Sequence, residues 1–62
     1  MDTISIYIDS NNFAYDLGVI KETTETIHAV GMYGDEYRIH KDTKDVFKND
    51  KYMGVARTLD RY

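Results

Sequence analysis

Sixty-two residues with 42% apolar and 31% charged side chains make one small domain, residues 1–62, too apolar for a disordered tail and too short for a second core. Cysteine is absent, which excludes a disulfide framework, a zinc–thiolate site and a thiol nucleophile. No run approaches the ~20 apolar residues of a membrane span, and no basic-then-apolar signal segment opens the chain, so a cytoplasmic domain is expected.

In chain order, Ile4, Ile6 and Ile8 alternate with Ser5, Tyr7 and Asp9, the period of a half-buried strand. Asn11-Asn12 suits a two-residue hairpin loop, because Asn tolerates positive φ. That closure opposes Ile8 with Tyr15, Ile6 with Leu17 and Ile4 with Val19, all apolar pairs on one face. A helix running from Phe13 toward Val30, capped by Asn12, is the competing reading of this stretch. Gly18 and the β-branched run Val19, Ile20, Thr23, Thr24, Thr26, Ile27, Val30 argue against it. Gly34-Asp35 fits a type II′ turn, which opposes Met32 with Tyr37, Val30 with Ile39 and His28 with Lys41. Val46 and Phe47 pin a charged connection to the core. In the tail Tyr52, Val55, Ala56 and Leu59 fall at i, i+3, i+4 and i+7, which predicts a short helix over the sheet, with Asp50 as its cap. Gly54 weakens that helix. A strand here, built on Met53, Val55 and Leu59, would instead complete a small SH3-like barrel.

The expected fold is therefore α+β: two hairpins in an antiparallel four-stranded sheet with a C-terminal helix. The alternative is an all-β SH3-like small barrel. The expected core is Ile4, Ile6, Ile8, Tyr15, Leu17, Val19, Val30, Met32, Tyr37, Ile39, Val55 and Leu59.

Catalytic and cofactor chemistry find little support in the residues. The hairpin registers put His28 and His40 on opposite faces, whereas a metal needs three or four convergent ligands. Ser5 and Ser10 lie in no nucleophile motif, and none of the four glycines opens a phosphate loop. No enzyme activity and no cofactor are expected.

Charge and tyrosine carry the functional reading. The net charge of −3 is divided unevenly: residues 1–36 hold seven acids and one base, residues 37–62 four acids and seven bases. Six tyrosines exceed what a small core buries, since each buried hydroxyl needs a partner. Tyr7 projects outward opposite Asp16, with Asp9 two residues along, a rigid aromatic among carboxylates that selects a basic protein partner. Tyr33, Asp35 and Glu36 form a second surface of the same kind. The alternative is a nucleic-acid-binding module in which Arg38, Lys41, Lys44, Lys48, Lys51, Arg57 and Arg61 interleave with Tyr37, Phe47 and Tyr52. Asp42, Asp45 and Asp50 interrupt that run, and the pI of about 5.1 is acidic for a protein that binds by counterion release.

In style the chain resembles the small accessory proteins of bacteriophages: no Cys or Pro, and many Ile, Asp, Lys, Tyr and Asn residues. That resemblance implies a viral protein that inhibits one host protein. A nucleic-acid-binding enzyme, whose own substrate is anionic, is a natural target. A small sheet with exposed edges also favours a homodimer.

Overall fold

Along the first strand, β1 (Thr3–Ile8), the three isoleucines are buried while Thr3, Ser5 and Tyr7 look outward. The computed structural model describes residues 2–10 and 12–61, in which five more strands follow. They are β2 (Phe13–Glu22), β3 (Thr26–Val30), β4 (Glu36–His40), β5 (Asp45–Lys48) and β6 (Lys51–Arg61). Each pairs antiparallel with the next, and β6 returns to pair with β1, closing a six-stranded barrel. Among the described residues there is no helix, and so none long and apolar enough to cross a membrane. The all-β small-barrel alternative fits this architecture; the α+β sheet with a C-terminal helix does not.

The tail misleads because β6 carries two irregularities. Its register against β1 slips between Ala56 and Thr58, and its register against β5 slips between Tyr52 and Gly54. Each bulge adds one residue to the strand and inverts the facing of the residues beyond it. Ala56 and Leu59, three apart, thus both turn inward opposite Ile8 and Ile6, which imitates a helical period. Tyr52 and Val55 are exposed instead. Asp50 caps no helix: Asn49 and Asp50 both have positive φ (50° and 67°) in a two-residue hairpin loop between Lys48 and Lys51, as a type I′ turn requires.

Both expected hairpins form, in different registers. In the first, Ile8 meets Phe13, Ile6 meets Tyr15 and Ile4 meets Leu17, a shift of two that keeps every inward residue inward. Asn12 has φ 52° in the longer connection; Asn11 lies outside the described residues. In the second, Ala29 meets Tyr37 and Ile27 meets Ile39, a shift of three that inverts β3. Gly31–Asp35 forms a five-residue loop, closed by the Gly31 N–H on the Asp35 carbonyl (2.9 Å) and the Gly34 N–H on the Gly31 carbonyl (3.0 Å), with Gly34 at φ 87°. The inversion buries Ile27 and Ala29 and keeps the His28 imidazole out of the core, where its desolvation would be costly. Val30 then lies half-buried on the outer face, and Met32 is exposed in the loop. Val46 and Ala56 complete the interior, with Tyr15, Val19, Met53 and Leu59 packed at its margins.

Gly54 belongs to the closure. Its φ is 129°, and a Cβ there would stand 2.9 Å from Ser10 Oγ, whose hydroxyl donates to the Met53 carbonyl at 3.1 Å. Gly54→Ala is expected to destabilise by about 1–3 kcal/mol through backbone strain and crowding. Ile39→Ala is expected to cost about 2–4 kcal/mol. Chemical denaturation measures both, against a total of about 3–9 kcal/mol for a chain of this length.

Candidate functional site

β1 is paired on both sides, so the outer face of β2–β1–β6 is a three-stranded platform held by a complete ladder. Across it Ser5 sits between Asp16 on β2 and Asp60 on β6, and Tyr7 sits between Ala14 and Thr58. Opposed residues share a face, so Tyr7, Asp16 and Asp60 all project from this platform. The Tyr7 hydroxyl donates to Asn12 Oδ1. Two details differ from the sequence expectation. Asp16 is diagonal to Tyr7 rather than opposite it. Asp9 lies in the turn beyond the platform and is taken up by Arg57 (3.3 Å). Asp60 escapes sequence reasoning because a helical tail gives it no place beside β1.

The second expected surface is also divided. Asp35 pairs with Lys48 (3.5 Å) and accepts from Asn49 Nδ2 (3.2 Å). The Glu36 N–H donates to Asn49 Oδ1 (3.1 Å), while its exposed carboxylate has no ion pair among the described residues. Tyr33 stands in the loop at 88% exposure beside Met32 at 84%. Tyr33, Asp35 and Asp16 do meet, at an open cleft of about 440 Å³ between β2 and the Gly31–Asp35 loop. Its floor is aromatic: the Phe13 and Tyr15 rings lie 5.0 Å apart, and Tyr15 and Tyr37 6.0 Å apart. Burial raises the pKa of the Tyr37 hydroxyl above its usual value.

The basic residues of the C-terminal half do not form one surface. Arg38 pairs with Asp50 (3.3 Å) and lies 4.9 Å over the Phe47 ring, and Arg57, Lys48, Lys41 and Arg61 are each held by a carboxylate. The corrected registers put both histidines on the outer face, since Arg38 opposes His28 and Thr26 opposes His40. The Thr26 hydroxyl lies 3.3 Å from His28 Nε2, and the His40 ring packs 5.7 Å from Phe47. Among the described residues no three His, Asp or Glu side chains come together as a metal site.

Glu22 closes one end of the barrel. Its carboxylate receives Arg61 Nη2 at 2.5 Å and Lys41 Nζ at 2.6 Å, joining the end of β2 to β6 and to the residue after β4. Hydrogen bonds from Arg61 and then Lys41 lower its pKa from 4.5 to about 2, against a smaller opposing effect of desolvation.

Comparison with family models, with curated proteins and with solved structures returned no match to this chain. The functional reading therefore rests on the geometry of the surfaces.

The Glu22 cluster has a pH signature. Because the folded pKa lies below the unfolded one, its stabilisation is present above pH 4.5 and is lost as pH falls from about 4.5 toward 2. Thermal melts at a series of pH values should find Glu22→Gln less stable than the parent at pH 7, with the difference closing through this window.

Proposed function

We propose that the protein is a non-catalytic binding protein that presents its acidic, Tyr-bearing β2–β1–β6 face to a basic surface of a protein partner, and inhibits the partner by occupying that surface. The supporting observation is how folding distributes charge. Five of the eight bases are ion-paired, Arg61 and Lys41 sharing Glu22 and the others with Asp9, Asp35 and Asp50, leaving Lys21, Lys44 and Lys51 without an ion pair among the described residues. Seven of the eleven acids remain outside any ion pair among those residues, Asp16 and Asp60 among them. Unpaired charge is thus mostly negative: seven carboxylates against three lysines. An anion-binding surface on a nucleic-acid enzyme is the kind of partner such a face complements.

One observation favours a nucleic-acid module instead. Lys21, His28, Arg38, Phe47 and Tyr52 oppose one another in a continuous row across β2 to β6 on the outer face. Arg38 is covered by Asp50, and Asp45 accepts the Tyr52 hydroxyl at 3.1 Å, so carboxylates line the row where phosphates would pass.

Asp16→Lys with Asp60→Lys changes the face by four charge units without touching a buried side chain. It should leave the melting temperature nearly unchanged and slow association with a captured protein partner, measured by surface plasmon resonance at low salt. Tyr7→Ala should speed dissociation, by about 1–3 kcal/mol in affinity. Unchanged kinetics in both variants overturn the reading. Tight, steeply salt-dependent binding of mixed-sequence single-stranded DNA or RNA transfers it to the basic–aromatic row.

A further inference from the structure

We propose that the cleft between β2 and the Gly31–Asp35 loop is a docking site for an extended peptide segment of a partner protein. The segment alternates apolar and basic residues and adds a strand to β2. The inference rests on the reading of this protein as a partner-binding module, but it concerns an adjoining surface that shares only Asp16 with the β2–β1–β6 face, and a different mode of contact.

The barrel is closed unevenly. β2 runs from Phe13 to Glu22, but its pairing with β3 begins only at Gly18, opposite Val30. Beyond Val30 the chain turns off into the five-residue loop, leaving the first half of β2 paired through β1. The direction of the exposed backbone follows from one hydrogen bond. The Val19 N–H donates to the Asp2 carbonyl (2.8 Å), on the β1 side. Backbone groups alternate sides along an antiparallel strand, so those of Gly18, Asp16 and Ala14 face away from β1. Gly18 meets β3 there; Ala14 and Asp16 have no strand opposite them and no backbone hydrogen bond on that side among the described residues. Two N–H and two carbonyl groups are thus presented in strand geometry at the mouth of the cleft, as strand addition requires.

The side chains define the guest. Inward positions of an added strand would meet the aromatic floor of Phe13, Tyr15 and Tyr37, and Met32 and Tyr33 on the opposite lip extend that apolar contact. Outward positions would lie beside the Asp16 side chain, which has no ion pair among the described residues, whereas Asp35 is already matched by Lys48. The guest is therefore apolar on its inward residues and Lys- or Arg-bearing on its outward ones. Charge disfavours a second copy of this chain: antiparallel pairing of two β2 edges about Tyr15 sets the two Asp16 carboxylates diagonally on one face, where they repel.

The test is an amide-resolved NMR titration of the 15N-labelled protein with three seven-residue peptides. One alternates Lys with Val about a central Lys, one alternates Glu with Val about a central Glu, and one is the Lys/Val peptide with that central Lys, whose N–H would face β2, replaced by proline. The expected result is shift changes and slowed hydrogen exchange at the Ala14 and Asp16 amides with the Lys/Val peptide alone, because proline cannot donate to the edge. Met32→Lys with Tyr33→Lys, both in the exposed loop, should weaken that binding about tenfold with the melting temperature unchanged. Tyr7→Ala with Asp60→Lys should leave it intact, which separates this site from the β2–β1–β6 face.

The proposal is overturned if neither amide responds at millimolar peptide, or if the proline peptide binds as well as its parent. It is also overturned if the changes fall on Tyr7, Thr58 and Asp60, which would leave the face as the contact. Concentration-dependent changes at Ala14 and Asp16 without peptide, with a dimer mass in sedimentation, overturn it in favour of a second copy.

Discussion

Pairing of the last strand with the first is the constraint on which the other features of the barrel depend. β6 lies on β1 over most of its length, so Ile4, Ile6 and Ile8 are enclosed by neighbours on both sides and the core becomes a cylinder rather than an open face. A chain of 62 residues has little apolar surface to bury, and closure removes the long exposed edges an open sheet would leave to water. β2 carries one bulge, between Val19 and Lys21, and β6 supplies the bend at the closure. Its two bulges and the positive φ of Gly54 let an eleven-residue strand bend from β5 round to β1. A helix in the same place would cover one face of the sheet and leave β1 as an edge.

The same closure rearranges the charges. Arg57 reaches Asp9 and Arg61 reaches Glu22, across 48 and 39 residues of sequence. The acidic first half and the basic second half are thus partly neutralised against each other. What remains is a surplus of carboxylates, some of them on the platform around β1. The polarity suggested by the linear sequence becomes a difference between faces. Acidic platform and basic–aromatic row lie on different sectors of one cylinder, as expected when neighbouring strands carry outward residues of different kinds.

Incomplete pairing between β2 and β3 has the opposite effect. Where the Gly31–Asp35 loop leaves the wall, the aromatic interior opens to solvent and two residues of β2 present backbone groups to it. At the other end the Glu22, Lys41 and Arg61 cluster closes the barrel with charge. The two ends thus differ in chemistry: one carries a solvent-exposed cluster of ion pairs, the other is apolar and accessible.

Sequence alone determined what depends on period and local turn chemistry. The strand at Ile4–Ile8, the inward set Tyr15, Leu17 and Val19, the inward pair Tyr37 and Ile39, and the outward positions of Tyr7 and Asp16 all come from alternation. Alternation survives a register shift of two, such as the first hairpin shows. The Asn49-Asp50 turn was also available as a local signal, since two such residues between Lys48 and Lys51 suit positive φ, but a helical reading of the tail conceals it. Tertiary structure decided whatever depends on a count of residues between strands. The odd shift at Gly31–Asp35 inverted β3 and moved His28 outward, and the bulges of β6 made a strand imitate a helix. It also decided which charges stay unpaired, because Asp9 and Asp16 are alike in sequence and only the return of β6 brings Arg57 to one of them. A bulge or loop length is set by the fit of the closed wall around its core, and that fit is a property of all the strands together.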